Sequence, residues 1–108
     1  MTAGRRWTVQ DHQNNLIYMT EERWEHIIDP LNHPEMAGYE EHLKEVIQYG
    51  RRQQDSLNPQ KYRYSHTFTD LVEDNTHIVV IVLFRFNEGE NGEATNNYIV
   101  TAYQKAVW

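Results

Sequence analysis

Seven consecutive apolar residues, "IVVIVLF" at positions 78–84, limit the folds open to this chain. The run is far shorter than the ~20 residues that a helix needs to span a membrane. It is rich in β-branched residues and belongs to the nearly continuous apolar stretch "THIVVIVLFRF", which is typical of a strand buried inside a protein. The sequence therefore predicts a central β-strand here.

Other stretches predict the strands that surround it. "WTVQD" and "NLIYM" favour β-structure and are joined by the polar "HQNN", which predicts a hairpin. "KYRYSHTF" alternates between polar and apolar residues, and "NNYIVTAYQ" is predicted to close the sheet. The polar stretch "RRQQDSLNPQ" is interpreted as a connection that precedes these later strands.

Two helices are predicted between the hairpin and the later strands. Thr20 is a candidate N-cap for a short helix over residues 21–29, whose apolar positions follow helical spacing. Pro30 and Pro34 end this helix, and a second one is predicted over residues 35–52. The element order predicts an α+β fold, with two N-terminal helices packed on one face of a four- or five-stranded antiparallel sheet. At this length we expect one domain covering residues 1–108.

Composition narrows the functional classes. The chain has no cysteine, which excludes cysteine-based metal sites and nucleophiles. No apolar stretch follows the arginines of "MTAGRRWTVQ", so we expect no signal peptide, no membrane partner and a cytoplasmic location. The net charge of -6 argues against nonspecific binding of long nucleic acids.

The basic residues are nevertheless concentrated. Arg51, Arg52, Lys61 and Arg63 place four of the ten basic residues within thirteen positions. Such a local basic surface can hold a few phosphates on an acidic protein.

The two-residue period of β-strands sorts the later side chains onto two faces. It places Ile99, Thr101 and Tyr103 on one face of the last strand, joined by Lys105 if the strand continues. With the aliphatic residues and tyrosines packed under the helices, cations and hydroxyls remain on the open face. These residues are Lys61, Arg63, Ser65, Arg85, Thr101 and Tyr103.

Several motifs resemble those of a known ribonuclease superfamily. "IYMTEERWEHIIDPLNHPEM" contains "RWEHI" and "HPE", and the last strand contains "IVTAY". Together they are similar to the barnase–EndoU–colicin–RelE ribonucleases, in particular the small phage- and mobile-element-associated branch. The resemblance implies metal-independent RNA cleavage without a cofactor, often by toxins that an antitoxin or immunity protein restrains. Matched by position, it implies His26, His33, Thr101 and Tyr103 as the catalytic residues.

These residue types suit RNA cleavage in which the 2'-OH attacks the phosphate and leaves a 2',3'-cyclic phosphate. Histidine, with an ordinary pKa of about 6.5, serves as base or acid near neutral pH. We expect the turn from Pro30 to Pro34 to bring His26 and His33 into one cleft near the last strand. Cations must stabilise the added negative charge on phosphorus. The candidate RNA-binding residues are Arg51, Arg52, Lys61, Arg63, Arg85 and Lys105.

Other interpretations of the same residues stay open. In one alternative, His26, which lies away from the apolar stripe of its helix, is a solvated residue, and His33 caps the second helix. Thr101 and Tyr103 are then ordinary strand residues. The chain is in that case an inactive relative that acts as a protein- or RNA-binding module. A metal-dependent hydrolase with zinc on His26, His33 and Glu35 is a third class, although the usual i, i+4 pair of histidines is absent.

Overall fold

A computed structural model of the protein describes residues 4–89 and 92–107, without the side chains of residues 86–89 and 92–95. The described residues form one mixed sheet of six strands in the order β1-β2-β6-β5-β4-β3. The strands are β1 (Arg5–Gln10), β2 (Leu16–Thr20), β3 (Arg51–Gln54), β4 (Lys61–Thr67), β5 (His77–Gly89) and β6 (Gly92–Lys105). The helices are α1 (Glu21–Ile27), a 3-10 helix (Pro34–Gly38) and α2 (Glu40–Tyr49).

The sequence-based prediction of this sheet is wrong in strand number and in strand direction. It proposed four or five antiparallel strands, but the sheet has six, and β2 runs parallel to β6. The missed strand is β3, whose sequence "RRQQ" contains no apolar residue. An edge strand exposed on most of its surface needs no apolar face, so the usual strand pattern does not reveal it.

The predicted helices also need correction. Both follow the β1–β2 hairpin, where the predicted order of elements placed them, so for their position only the description as N-terminal is wrong. α1 is capped by Thr20 as predicted, since its hydroxyl accepts a hydrogen bond from the backbone N–H of Arg23 at 3.0 Å. It ends at Ile27, two residues earlier than predicted. The single helix predicted over residues 35–52 is instead a 3-10 turn, a break at Tyr39 and α2.

The core lies between the helices and one face of the sheet. Trp24 of α1 and Leu43 and Ile47 of α2 are buried there. β5 lies inside the sheet between β6 and β4, as its apolar sequence predicts. The remaining core residues are Ile17, Met19, Ile27, Met36, Val46, Tyr64, Ile78, Val80, Val82, Ile99 and Ala102. In the described part of the chain no helix is long and apolar enough to cross a membrane.

A buried polar contact joins the β1–β2 turn to β4. Asp11 is 4% exposed and Tyr64 is fully buried, and the Tyr64 hydroxyl donates to Asp11 Oδ2 at 2.6 Å. The backbone N–H groups of Gln13 and Asn15 donate to Asp11 Oδ1 at 2.9 and 2.8 Å. Burial alone raises the pKa of Asp11, but the hydrogen bonds from Tyr64 and Asn15 outweigh it and hold the pKa below its ordinary value. We call this contact the Asp11–Tyr64 clasp.

The clasp predicts a pH-dependent stability. Because the pKa of Asp11 is lowered in the folded state, its contribution is present above about pH 4 and is lost as the pH falls through the folded value. Burial and the neighbouring Asp11 raise the pKa of Tyr64, so its contribution to stability is present below about pH 10 and is lost at higher pH.

Tyr64→Phe should lower the free energy of unfolding by about 1.5–3 kcal/mol at pH 7.

Urea denaturation at pH 7 and below pH 3 measures this effect. The difference between wild type and Tyr64→Phe should shrink at the lower pH, because protonated Asp11 accepts a weaker hydrogen bond. Tyr62→Phe is the matched control, since Tyr62 is a half-buried neighbour on the same strand and packs on Phe84. A loss at pH 7 that is equal for both variants would contradict a specific role for the clasp.

Gly50 allows β3 to start directly after α2. A Cβ atom at this position would collide with the carbonyl oxygen of Val46 and lie 2.6 Å from that of Ser65. Both obstacles are backbone atoms, so neither can rotate away. The backbone of Gly50 is extended, with φ of -76° and ψ of 167°, which any residue adopts. The need for glycine is therefore steric.

Gly50→Ala should destabilise the fold by about 1–3 kcal/mol, the usual cost of forcing an extra carbon into a packed site. Thermal unfolding followed by circular dichroism measures the change. Gly38→Ala is the matched control, because a Cβ there meets nothing within 4 Å. Equal melting temperatures for the two variants would show that the contact of α2 with β4 tolerates the added carbon.

Candidate functional site

The face of the sheet opposite the helices collects the predicted site residues of three neighbouring strands. Arg63 of β4 lies opposite Ile81 of β5, which in turn lies opposite Thr101 of β6. One row further along, Ser65, Val79 and Tyr103 are aligned in the same way. Paired residues in a sheet share a face, so the structure agrees with the period-two analysis for these residues. We call this surface the open face.

A β-bulge in β6 corrects one part of that analysis. Ile81 pairs with Thr101, but Val82 pairs with Ile99, so Val100 is an extra residue in the strand. The bulge turns Ile99 into the core and places Tyr98 on the same face as Thr101. The prediction that Ile99 shares the face of Thr101 and Tyr103 is therefore wrong, and no residue in "NNYIVTAYQ" signals the bulge.

A cavity of about 470 Å³ lies on the open face between β6 and the β3–β4 connection. Cations and hydroxyl groups reach it from separate strands, because the strand register aligns them. We call it the cationic cavity. Its lining residues are Gln53, Gln54, Asp55, Ser56, Lys61, Arg63, Ile81, Thr101 and Tyr103.

The cationic cavity carries a small positive charge. Lys61 and Arg63 contribute two cations, while Asp55 contributes one carboxylate, whose Oδ2 lies 4.0 Å from Lys61 Nζ. Hydrogen bonds from the backbone N–H groups of Leu57 and Asn58 hold the pKa of Asp55 below its ordinary value. Asp55 is thus ionised at neutral pH and offsets one of the cations.

His33 lies at the edge of the open face next to Tyr103. The centroids of the two rings are 5.9 Å apart, and His33 Nδ1 lies 3.4 Å from a carboxylate oxygen of Glu35. The backbone explains this position, since the N–H of His33 donates to the carbonyl of Ile27 at 2.9 Å and folds the chain back against the end of α1. His33 is the N-cap of the 3-10 helix, but its side chain makes no capping hydrogen bond.

His26 lines a different cavity of about 470 Å³ near the point where β2 meets β6. We call it the tyrosine cavity, and its lining residues are Tyr18, Thr20, Glu22, Arg23, His26, Tyr98 and Ile99. Tyr98 lies opposite Leu83 and Tyr103 lies opposite Val79. These positions are four residues apart on β5, or ~13 Å along the strand. Neither cavity is lined by both His26 and His33.

The predicted RNA-binding cations divide between the two faces of the sheet. Arg51, opposite Ser65, Arg85, opposite Asn96, and Lys105, opposite His77, are on the open face by register. Arg52 is on the other face, and its guanidinium lies 4.5 Å above the ring of Tyr62 and 5.6 Å from that of Phe84. Arg52 therefore packs against the helix-covered face, away from the cationic cavity, and its role in RNA binding stays a prediction.

Sequence analysis missed part of both cavities. Gln53, Gln54, Asp55 and Ser56 come from the stretch interpreted as a connection. The signal that could have found them is Asp55, because an aspartate that caps two following N–H groups is typical of a tight turn between strands. Tyr18 and Tyr98 were missed because only the bulge and the β2–β6 pairing bring them to one cavity.

No group of three or more side chains suited to hold a metal ion occurs among residues 4–85 and 96–107, whose side chains the structure describes. His33 and Glu35 are close, but His26 does not join them to complete the three-ligand zinc site considered above. Comparison with protein-family models, with curated proteins and with solved structures finds no match for this chain. The site must therefore be interpreted from its own chemistry.

Proposed function

We propose that the protein is a small metal-independent endoribonuclease that cleaves RNA on its open face. The observation that supports this most directly is the cationic cavity, where Lys61, Arg63, Thr101 and Tyr103 converge, together with His33, whose ring lies 5.9 Å from that of Tyr103. The cavity combines groups that bind a phosphate with groups that move protons. A toxin-like role, with an antitoxin or immunity protein as partner, belongs to this proposal and depends on the motif resemblance alone.

In the proposed mechanism the scissile phosphate lies between the side chains of β4 and β6. The cations of Lys61 and Arg63 stabilise the negative charge that grows on the phosphate oxygens as the 2'-oxygen attacks. The hydroxyl of Thr101 donates a further hydrogen bond to a phosphate oxygen. With Asp55 offsetting one cation, the cavity suits a single phosphate better than a long run of them.

His33 and Tyr103 are the proposed proton-transfer pair. His33 takes the proton of the 2'-OH, the 2'-oxygen forms a bond to phosphorus, and the bond from phosphorus to the 5'-oxygen breaks. Tyr103 donates its hydroxyl proton to the departing 5'-oxygen, which leaves a 2',3'-cyclic phosphate on the other product. The carboxylate of Glu35 orients the His33 ring from the side of Nδ1.

One observation favours the alternative of a binding module. His26 lines the tyrosine cavity and His33 lines neither cavity, so a pair of histidines acting on one phosphate has no support from the cavities. An RNA-binding protein needs only the cations and exposed aromatic rings of the open face. Cleavage assays distinguish the two functions, because the binding module retains RNA and does not cut it.

Arg63→Ala should weaken binding of single-stranded RNA. The slope of log K against log salt concentration should fall by about 0.7, the effect of one lost phosphate contact on a single strand. Fluorescence anisotropy at several salt concentrations measures both quantities. Lys44→Ala removes the same charge from α2, where Lys44 pairs with Glu41 at 2.8 Å, and should change the slope little. Equal slopes for the two variants would argue against phosphate binding at the cationic cavity.

Purified protein should cleave RNA in the presence of EDTA, and the rate should fall below about pH 6, where a histidine base is protonated. His33→Ala should lower the cleavage rate by roughly 10²–10⁴-fold, as expected for one acid–base group. His12→Ala is the control, because His12 is exposed in the β1–β2 turn and lines neither the cationic nor the tyrosine cavity. A loss of rate for His26→Ala as large as that for His33→Ala would support the two-histidine mechanism. If wild-type protein does not cleave RNA, the nuclease proposal fails and the binding module is favoured.

A further inference from the structure

The tyrosine cavity exists because β2 and β6 hardly pair. In the described residues their register consists of one parallel pair, Tyr18 with Tyr98. Neighbouring strands otherwise leave no space between them, because ladder hydrogen bonds hold them less than 5 Å apart. Here α1 begins directly after β2, and Glu22, Arg23 and His26 form the wall beside the two tyrosines.

One ring of the aromatic surface of this cavity, that of Tyr18, is held by two contacts. The Tyr18 hydroxyl donates to Asn96 Oδ1 at 2.6 Å, and the guanidinium of Arg5 lies 4.0 Å from the centre of its ring. Tyr98 packs beside it, with ring centroids 6.1 Å apart and planes inclined by 42°. A ligand that stacks here meets a Tyr18 ring whose orientation is already set, so it loses little free energy in ordering that ring.

The wall of the cavity offers both hydrogen-bond acceptors and donors. The Glu22 carboxylate accepts, the Arg23 guanidinium donates, and the His26 ring does either. A flat ring with polar atoms around its edge can stack on the tyrosine rings and form hydrogen bonds with this wall. Nucleobases have this chemistry, and unpaired bases stack on tyrosine in many single-strand binding proteins.

We propose that the tyrosine cavity binds one unpaired nucleobase of the RNA whose phosphate occupies the cationic cavity. This inference rests on the proposed function. Tyr98 lies opposite Leu83 and Thr101 opposite Ile81. The two cavities therefore approach each other within two residues of β5, or ~7 Å along the strand. This separation lets adjacent parts of one strand reach both cavities, and it gives His26 a role in contacting the base.

The experiment uses two fluorescent oligonucleotides of equal length, both 2'-O-methylated so that they cannot be cleaved through the 2'-oxygen. One carries bases at every position, and the other carries abasic sugars at its centre. Tyr98→Ala should weaken binding of the complete oligonucleotide roughly 5- to 150-fold, as expected for one lost base–aromatic stack, and should leave binding of the abasic one unchanged. Tyr98→Phe keeps the ring and should bind both like wild type.

Each other outcome overturns a defined part of the proposal. If Tyr98→Ala binds the complete oligonucleotide like wild type, or weakens both oligonucleotides equally, the cavity is not a base site. If Arg63→Ala binds the abasic oligonucleotide like wild type, the phosphate site fails while the base site stands. If wild type binds neither oligonucleotide, both proposals fail.

A second measurement needs no variant and so does not depend on the folding of Tyr98→Ala. Wild-type protein is irradiated with single-stranded RNA that contains 4-thiouracil, and the crosslinked residues are identified by mass spectrometry. Crosslinks to Tyr18 or Tyr98 support a base in the tyrosine cavity. Crosslinks found only at other residues overturn it.

Discussion

The Asp11–Tyr64 clasp determines how far the sheet must curl. Asp11 follows β1, at one edge of the sheet, while Tyr64 belongs to β4, the fifth strand in the order. A flat sheet would hold these residues several strand spacings apart, at nearly 5 Å for each spacing. A direct hydrogen bond of 2.6 Å therefore requires the β1–β2 hairpin to fold over the helix-covered face until its turn reaches β4.

This curl brings the hairpin against the helices and decides which face remains for function. The β1–β2 turn meets the end of α2, as His12 and Gln13 share a shallow depression with residues 48–50. At its other end β1 is tied to both helices, because Arg6 contacts the carboxylates of Glu21 and Glu40. With one face of the sheet covered by α1, α2 and the hairpin, the polar side chains of β4, β5 and β6 can only be presented on the other. The cationic cavity is a consequence of this arrangement.

Sequence reasoning succeeded where a single element determines the outcome. Seven apolar residues predicted the interior strand β5, Thr20 predicted the start of α1, and alternation in β4 predicted that Lys61 and Arg63 share a face. It failed where the outcome depends on contacts between distant elements. The polar strand β3 is recognisable only through its pairing with β4, and the bulge at Val100 only through the register with β5. The placement of His26 and His33 likewise depends on how the α1 connection meets β6, which no local pattern encodes.

The segregation of charge reconciles the acidic chain with a basic site. The net charge is -6, yet acidic residues such as Glu41 and Glu45 are exposed on α2, on the side of the sheet away from the cationic cavity. The width of α2, about 10 Å, separates the acidic residues on its outer side from the sheet. That separation exceeds the screening length of about 8 Å at physiological ionic strength. The local cations of Lys61 and Arg63, with Asp55 beside them, therefore set the field that a phosphate meets, and the net charge of the chain opposes only the approach of long nucleic acids from a distance.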